Sequence, residues 1–407
     1  MNGFTVQRGL LTSLVLATLL LVISLSGITA QSRLPGLSFP AFNARTKIDQ
    51  NLETHDLLDD VSNATLGFEK IFVVNLASRT DRRDAATLAA ALTGLQFEFV
   101  KAVTHVDKKF LPPPGTDKVN LKFGALAAWR SHANILRRIV EENITSALIL
   151  EDDADWDIRI KAQMRDFARA SRRLLQPLSN GTDEAWKERT PELNERASEP
   201  SPVNVLPDDA NITEPTTSPY GDIDRWDMLW IGHCGVALPH PDNSTATLPS
   251  TRVVIPNDTT VPPSHAIQKE FSDTQLVMQY PDHTRVVAQT RTGTCSLAYG
   301  VSQLGARKLL WETAIRALTG PMDMMYRSMC DGTYGREMIT CLSPSPALFG
   351  HHRPAGDPST WSNIDDLKDA VQRDYPTSGN VRWGARFNTY ELLSGGTEYF
   401  DPFMEGQ

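Results

Sequence analysis

Ala147-Leu148-Ile149-Leu150-Glu151-Asp152-Asp153-Ala154-Asp155-Trp156-Asp157 passes from four apolar residues directly into three consecutive carboxylates. A short, continuous apolar run is the mark of a parallel strand covered on both faces. Just upstream, Phe123 to Glu142 places Leu126, Trp129, Ala133, Leu136 and Ile139 at helical spacing. Further out, Lys70-Ile71-Phe72-Val73-Val74-Asn75-Leu76 is a second buried strand. Thr80, a candidate N-cap, opens a helix through Leu92, and Gln96 to Val103 is a third strand. Strand, helix, strand, helix, strand in this order predicts an α/β fold, a Rossmann-type, mostly parallel sheet flanked by helices. Asp227 to Gly232, Ser296 to Val301 and Met338 to Leu342 add strands, and Ser302 to Leu318 and Asp323 to Cys330 add helices.

The 407 residues hold enough apolar material, 41%, for a sizeable core. Lys plus Arg is 40 and Asp plus Glu is 49, a formal net charge of −9, which lacks the basic field of a nucleic-acid binder. Nine acids and three bases lie between Pro177 and Gly221, so −6 of the −9 belongs to that segment and −3 to the rest. Segments 177–221 and 236–284 are rich in proline and read as surface insertions outside the core.

Gly9 to Ser32 carries no charge and is flanked by Arg8 and Arg33. It is long enough to span a bilayer as a helix, and two readings stay open. One is a signal anchor; the other is a cleavable signal peptide cut after Ala30. Six N-x-S/T sequons, at Asn63, Asn143, Asn180, Asn211, Asn243 and Asn257, fit a lumenal placement. Four cysteines, Cys234, Cys295, Cys330 and Cys341, can pair in such a compartment, with three connectivities open. The expected location is the secretory pathway, with the body of the chain on the lumenal side of a Golgi or ER membrane, or secreted. The expected organisation is a signal segment over 1–33, a stem over 34–66, a domain over 67–366 interrupted by the two insertions, and an irregular tail over 367–407.

The chemistry is expected at the acidic strand end, because open α/β sheets bind ligands beyond the carboxyl ends of their strands. Three adjacent carboxylates repel one another unless protons or a cation intervene. Mn²⁺ or Mg²⁺, which accept oxygen ligands and keep positions open for phosphate, would meet that need. Asp153, Asp155 and Asp157 do not form an EF-hand, because Ile158 and Met164 stand where Gly and Glu are required. P-loop, HExxH, GxSxG and GxGxxG patterns are absent. In Asn75-Leu76-Ala77-Ser78-Arg79-Thr80-Asp81-Arg82-Arg83, a polar strand end precedes three arginines at a helix entry, a pattern suited to phosphate. Arginine in a first helical turn opposes the macrodipole and calls for an acidic partner. Ser131 and His132 close the helix segment that leads into the acidic strand, which places them in supporting roles.

Taken in order, Val73-Val74-Asn75-Leu76 with Ser78 to Arg83, the segment from Gly124 to Ser131-His132, and Leu148 to Trp156 resemble glycosyltransferase family 25. Pro321-Met322-Asp323, Pro344 to Phe349 and Ser362-Asn363-Ile364 are similar to its later blocks. The likeness is close over about residues 68–175 and thin over 226–366. Ala125 stands in place of the family's Glu, and Ala127 and Ala128 in place of its Gly and Cys. The resemblance implies a GT-A-like fold and transfer of a sugar, often galactose, from a UDP-sugar to a glycan or glycoprotein acceptor with inversion. It also implies site roles. Glu151, Asp153 and His351 (or His352) would hold the metal. Asn75, Arg79, Arg82, Asp152, Ser131 and His132 would hold the nucleotide sugar. Asp323 would act as base. The alternative is a glycan-binding glycoprotein that keeps the fold without catalysis. Paired carboxylates would also suit a glycoside hydrolase, but that reading leaves the arginine cluster unexplained, whereas a diphosphate donor explains it; Asp81, Asp84 or the strand-end carboxylates could also pair those arginines without a ligand.

Overall fold

The computed structural model describes residues 56–114, 120–179, 211–239, 251–268, 272–364 and 371–404. The apolar segment 1–33 lies outside them, as do Asn180 and Asn243. No helix among the described residues is long and apolar enough to cross a membrane.

The elements follow the chain as β1 (Lys70–Asn75), α1 (Thr80–Thr93), β2 (Glu98–Lys101), α2 (Phe123–Glu141), β3 (Ser146–Glu151), β4 (Ala154–Trp156) and α3 (Ile160–Leu175). Then come β5 (Met228–Gly232), β6 (Arg252–Ile255), α4 (Thr274–Gln279), β7 (Arg285–Gln289), β8 (Ala298–Ser302), α5 (Gln303–Leu310) and α6 (Met322–Cys330). β9 (Cys341–Ser345), β10 (Phe349–Arg353), β11 (Thr377–Ser378) and α7 (Thr389–Ser394) complete the set. Eight strands form one sheet in the order β2-β1-β3-β8-β5-β9-β7-β6. Six of the eight run one way; β7 and β8 run against them. The expected α/β architecture is therefore present.

The strands read as unbroken apolar runs because helices cover both faces. Ile71, Val73, Leu148, Leu150 and Leu229 point into one core, with Ala89 of α1 and Phe167 of α3. Their neighbours Phe72, Val74, Ile149, Met228 and Trp230 point into the other, with Leu136 of α2 and Met325 of α6. This alternation is the period-two geometry of a strand applied to a sheet buried on both sides. α1 begins at Thr80 itself; Arg79 occupies the cap position and makes no side-chain capping bond.

β2 and β3 flank β1, so the strand order reverses at β1. Asn75 and Glu151 sit at the carboxyl ends of β1 and β3. That is where a doubly wound sheet opens a crevice. The chain then leaves the main sheet: β4 joins a separate three-stranded sheet, β11-β10-β4. Its antiparallel register sets His351 opposite Ala154 and Gly350 opposite Asp155.

Four expected boundaries need correction. The stem expected over 34–66 ends earlier, because Leu58, Val61 and Leu66 are buried in the first core. The segment 236–284, expected to be a surface insertion, supplies β6 to the main sheet and α4 to a small core containing Leu238, Val261 and Leu276. The tail is also built in: β11 pairs with β10, and Gly384 bridges to Asp157. Proline content is a poor guide here, because proline is compatible with the loops that lead into and out of an edge strand such as β6.

The insertion 177–221 is corrected at its end. Tyr220 is completely buried. Its ring stacks on Phe68 at 4.9 Å, and its hydroxyl donates to the Leu66 carbonyl. The four described sequon asparagines, Asn63, Asn143, Asn211 and Asn257, are all exposed. The structure also resolves the cysteine connectivity: Cys234 pairs with Cys295 and Cys330 with Cys341.

Two stability measurements test this packing. Tyr220→Ala should cost about 3–5 kcal/mol, the usual loss for a buried aromatic ring, read as a shift in the chemical denaturation midpoint. An unchanged midpoint would return residues 211–221 to the surface. The second concerns His233, whose Nε2 meets the Pro344 carbonyl at 2.8 Å. Burial holds its imidazole down from 6.5 to about 4. The unfolded chain therefore takes up a proton below pH 6.5 that the native chain refuses. Stability is full above that pH and falls by about 3 kcal/mol on the way to pH 4. Denaturation series for wild type and His233→Asn should show a flatter pH profile in the variant; parallel profiles would refute the assignment.

Candidate active site

β3 ends at Glu151, and the turn into β4 is made by Asp152 and Asp153. All three acids are engaged by other side chains. Glu151 Oε1 lies 2.7 Å from His132 Nε2, and His132 Nδ1 lies 2.9 Å from the Tyr299 hydroxyl. Asp152 accepts from Arg82 Nη1 at 2.6 Å and from Asn75 Nδ2 at 2.8 Å. Asp153 Oδ2 lies 3.1 Å from Arg353 Nη1 and 3.4 Å from Arg82 Nη2. Arg386, in the chain after β11, donates through Nη2 to the Asp152 carbonyl at 2.6 Å. One step along β4, the buried Asp155 accepts from Ser378 Oγ at 2.6 Å and from the Arg386 backbone N–H at 3.1 Å.

The cations that offset the repulsion among these acids are thus the protein's own arginines. At Asp153, burial raises the carboxyl pKa, but His351, Arg82, Arg353 and Arg386 outweigh it and bring it to about 2. At Asp152 burial wins over Arg82 and Asn75, and the neighbouring Asp153 adds to the rise. The first proton added to this pair therefore goes to Asp152. Burial opposes ionisation of Asp155 as well, and His352, Arg386 and Ser378 overcome it.

Of the residues singled out in the sequence, Asn75, Arg82, Glu151, Asp152 and Asp153 meet at the strand end. His351 faces the same acids: burial lowers its pKa, while Asp153 and Glu151 pull the other way. His352 turns to the opposite side of β10 and bonds Ser378 Oγ at 3.2 Å. Arg79 finds the acidic partner that its helix position demands in Asp81, at 2.9 and 2.8 Å, and reaches Asn363 Oδ1 at 2.7 Å. His132 is fully buried behind Glu151, with no surface for a ligand. Ser131 is turned away: its hydroxyl bonds the Ala127 carbonyl and the Val103 N–H, tying α2 to the end of β2. Asp323 accepts from the Cys295 N–H at 2.9 Å. The Cys234–Cys295 disulfide stands beside it, with Cys234 Sγ 3.7 Å from His351 Nδ1.

Sequence reading overlooked Arg353, Arg386 and Tyr299. Arg353 had a signal, since it follows the His351-His352 pair already under suspicion. Arg386 had none, because no periodicity or motif surrounds it.

For a divalent cation, the donor set of two carboxylates and an imidazole at Glu151, Asp153 and His351 fits Mn²⁺ in kind. Asp153 Oδ2 is shared with two arginines, whereas His351 Nε2 bonds nothing among the described residues. The tightest group of three possible ligand atoms among the described residues, within 4.8 Å of one another, is Cys234, Cys295 and His351. It is excluded as a thiolate site by the disulfide that joins its two sulfurs.

A helix-flanked, mostly parallel sheet with a carboxylate and arginine cluster beyond its switch point is an α/β domain of GT-A-like architecture. Residues 68–222 match the model of glycosyltransferase family 25 (LPS biosynthesis protein). The chain is similar to procollagen galactosyltransferase 1 of Danio rerio, 27% identical over 118 residues, covering 25% of this chain and 19% of the relative. Procollagen galactosyltransferase 1-B of Xenopus laevis is 28% identical over 115 residues, 25% of this chain and 18% of the relative. Procollagen galactosyltransferase 2 of Homo sapiens is 25% identical over 114 residues, 24% of this chain and 18% of the relative. The matched stretch spans about a fifth of the length of these curated relatives. The family-model match over 68–222 contains β1 through α3, and so Asn75, Arg82 and the three acids, but not Arg353 or Arg386.

The arginine network reverses the effect that repulsion alone would have on an acid-to-amide change. Asp153→Asn removes a carboxylate that is well paired in the native state. It should destabilise the fold by on the order of 2 kcal/mol near neutral pH, read by denaturant titration. A variant as stable as wild type, or more so, would mean that the arginines do not hold Asp153.

Proposed function

We propose that this chain transfers a hexose, galactose being the sugar named in its relatives, from a UDP-sugar to a hydroxyl of a glycan or glycoprotein acceptor, with metal assistance and inversion. The observation that carries the reading is the placement of Glu151, Asp152 and Asp153, flanked by Asn75 and Arg82, beyond the β1 and β3 strand ends within the family 25 region. Arg79, Arg82 and Asn75 would hold the nucleotide, with Asp152 fixing Arg82 and Asn75. Glu151, Asp153 and His351 would hold Mn²⁺ or Mg²⁺, whose charge, when bound, would offset that of a departing diphosphate. His132, fixed by Tyr299, sets the orientation of Glu151. Asp323 would take the proton of the acceptor hydroxyl; its Oδ1 makes no hydrogen bond among the described residues.

The proposed location is the lumenal side of the secretory pathway, in a Golgi or ER membrane through the N-terminal segment, or secreted if that segment is cleaved. Two disulfides and four exposed sequons support it. A second reading, glycan binding without catalysis, draws on one specific observation: every strand-end carboxylate already has an internal partner.

A donor screen separates the two. The chain is incubated with a panel of nucleotide sugars, with and without Mn²⁺, and free nucleotide is measured. UDP release with one UDP-sugar, cut by roughly 10²–10³ in Glu151→Gln, is the expected result. No release from any donor would leave the binding reading in possession. For location, glycosidase treatment of protein from its native host should increase gel mobility; an unchanged band would count against the lumen.

A further inference from the structure

Outside the family 25 region, one cationic side chain at the strand end is incompletely used. Arg386 lies in the segment that closes over β4. The Trp383 N–H bonds Asp157 Oδ2 at 3.1 Å, the Ala385 N–H bonds the Trp156 carbonyl at 2.8 Å, and the Arg386 N–H bonds Asp155 Oδ1 at 3.1 Å. The approach is close enough to require glycine: a Cβ on Gly384 would come within 2.5 Å of Asp155 Oδ2. The backbone around Arg386 is therefore fixed, and its side chain is committed to the acidic turn. There Nη2 bonds the Asp152 carbonyl at 2.6 Å, while Nε is buried with no acceptor.

A buried donor without an acceptor is rare in native proteins and asks for an explanation. Several acceptors are nearby but already taken. Asp152 is spent on Arg82 and Asn75, Asp153 on Arg353 and Arg82, and Asp155 on Ser378 and backbone N–H groups. Burial and the neighbouring Arg82 lower the guanidinium pKa, while Asp155, Asp153 and Asp152 raise it. Arginine nevertheless stays protonated at neutral pH. The result is a planar donor group facing the same turn as Arg82 and Arg353, with part of its hydrogen-bonding capacity unmet. Guanidinium forks match phosphate oxygens geometrically and bind them with charge-assisted bonds.

We propose that Arg386 is a diphosphate-binding residue, contributed by the C-terminal segment, that completes the donor site of the family 25 region. The inference rests on the UDP-sugar reading above. It adds a ligand contact from outside the residues that the family model matches, and it makes the segment after β11 part of the site as well as part of its wall.

Calorimetric titrations of the full chain with UDP and with uridine test it. Arg386→Gln should weaken UDP by about tenfold to a hundredfold, the worth of one charge-assisted hydrogen bond, and leave uridine unchanged. Arg386→Lys, which keeps the charge and loses the fork, should fall between. Equal UDP affinity in all three proteins overturns the proposal, as does an equal loss for UDP and uridine, which would mark a structural role. A measurement on the wild type does not depend on a variant folding. In [¹⁵N]arginine-labelled protein, the Arg386 Nε–H resonance should move when inorganic pyrophosphate is added, and an unmoved resonance overturns the proposal. If wild type releases UDP from a sugar donor while Arg386→Gln binds UDP normally, only this inference fails. If wild type binds and turns over no donor, both fail.

Discussion

Three carboxylates in a row at the end of a buried strand are the constraint on which this structure turns. Left to themselves, Glu151, Asp152 and Asp153 would repel one another at a strand end where Asp152 and Asp153 are buried from water. The protein answers with cationic and dipolar partners drawn from widely separated segments. Arg82 comes from α1, His132 from α2, Arg353 from the end of β10 and Arg386 from the chain beyond β11. Much of the topology follows from this need. β4 has to leave the main sheet immediately after the turn so that β10 and the C-terminal segment can reach the acids from the side that β1 and α1 leave open.

Support for the cluster extends inward. His132 is held between Glu151 and Tyr299, and Tyr299 lies edge-on to Tyr326 with ring centroids 5.5 Å apart. These rings belong to the core beneath the sheet, so the orientation of a strand-end carboxylate is coupled to packing against α6. An aromatic core has stiff shape, and that stiffness is transmitted to Glu151. The same core contains Cys330 and Cys341, whose disulfide ties the end of α6 to the start of β9.

The half of the site built from local sequence was legible, and the half built from long-range pairing was not. β1, β3 and α2 announce themselves through apolar runs or helical spacing, and the acids follow β3 without a gap. Arg82 was visible because an arginine in a first helical turn needs an acid. β4 and β11 are three and two residues long, too short for any period to show. β6 and Tyr220 were hidden inside proline-rich stretches that composition assigns to the surface. α3 is a helix the sequence reading does not assign, although Ile160, Met164 and Phe167 recur on one face. Arg386 acquires meaning only through the placement of Gly384 against Asp155, a contact across more than two hundred residues that no local pattern encodes.

That long-range closure also sets an order of assembly. Sequence separations of 223, 226 and 234 residues divide Asp155 from Ser378, Asp157 from Trp383 and Asp152 from Arg386. On a ribosome the chain emerges from its N-terminus, and β1, β3 and the helices between them can associate early. During that interval the acidic turn has Arg82 and His132 but neither Arg353 nor Arg386. A nascent chain therefore carries an undercompensated negative patch until the segment from Arg353 to Arg386 has emerged.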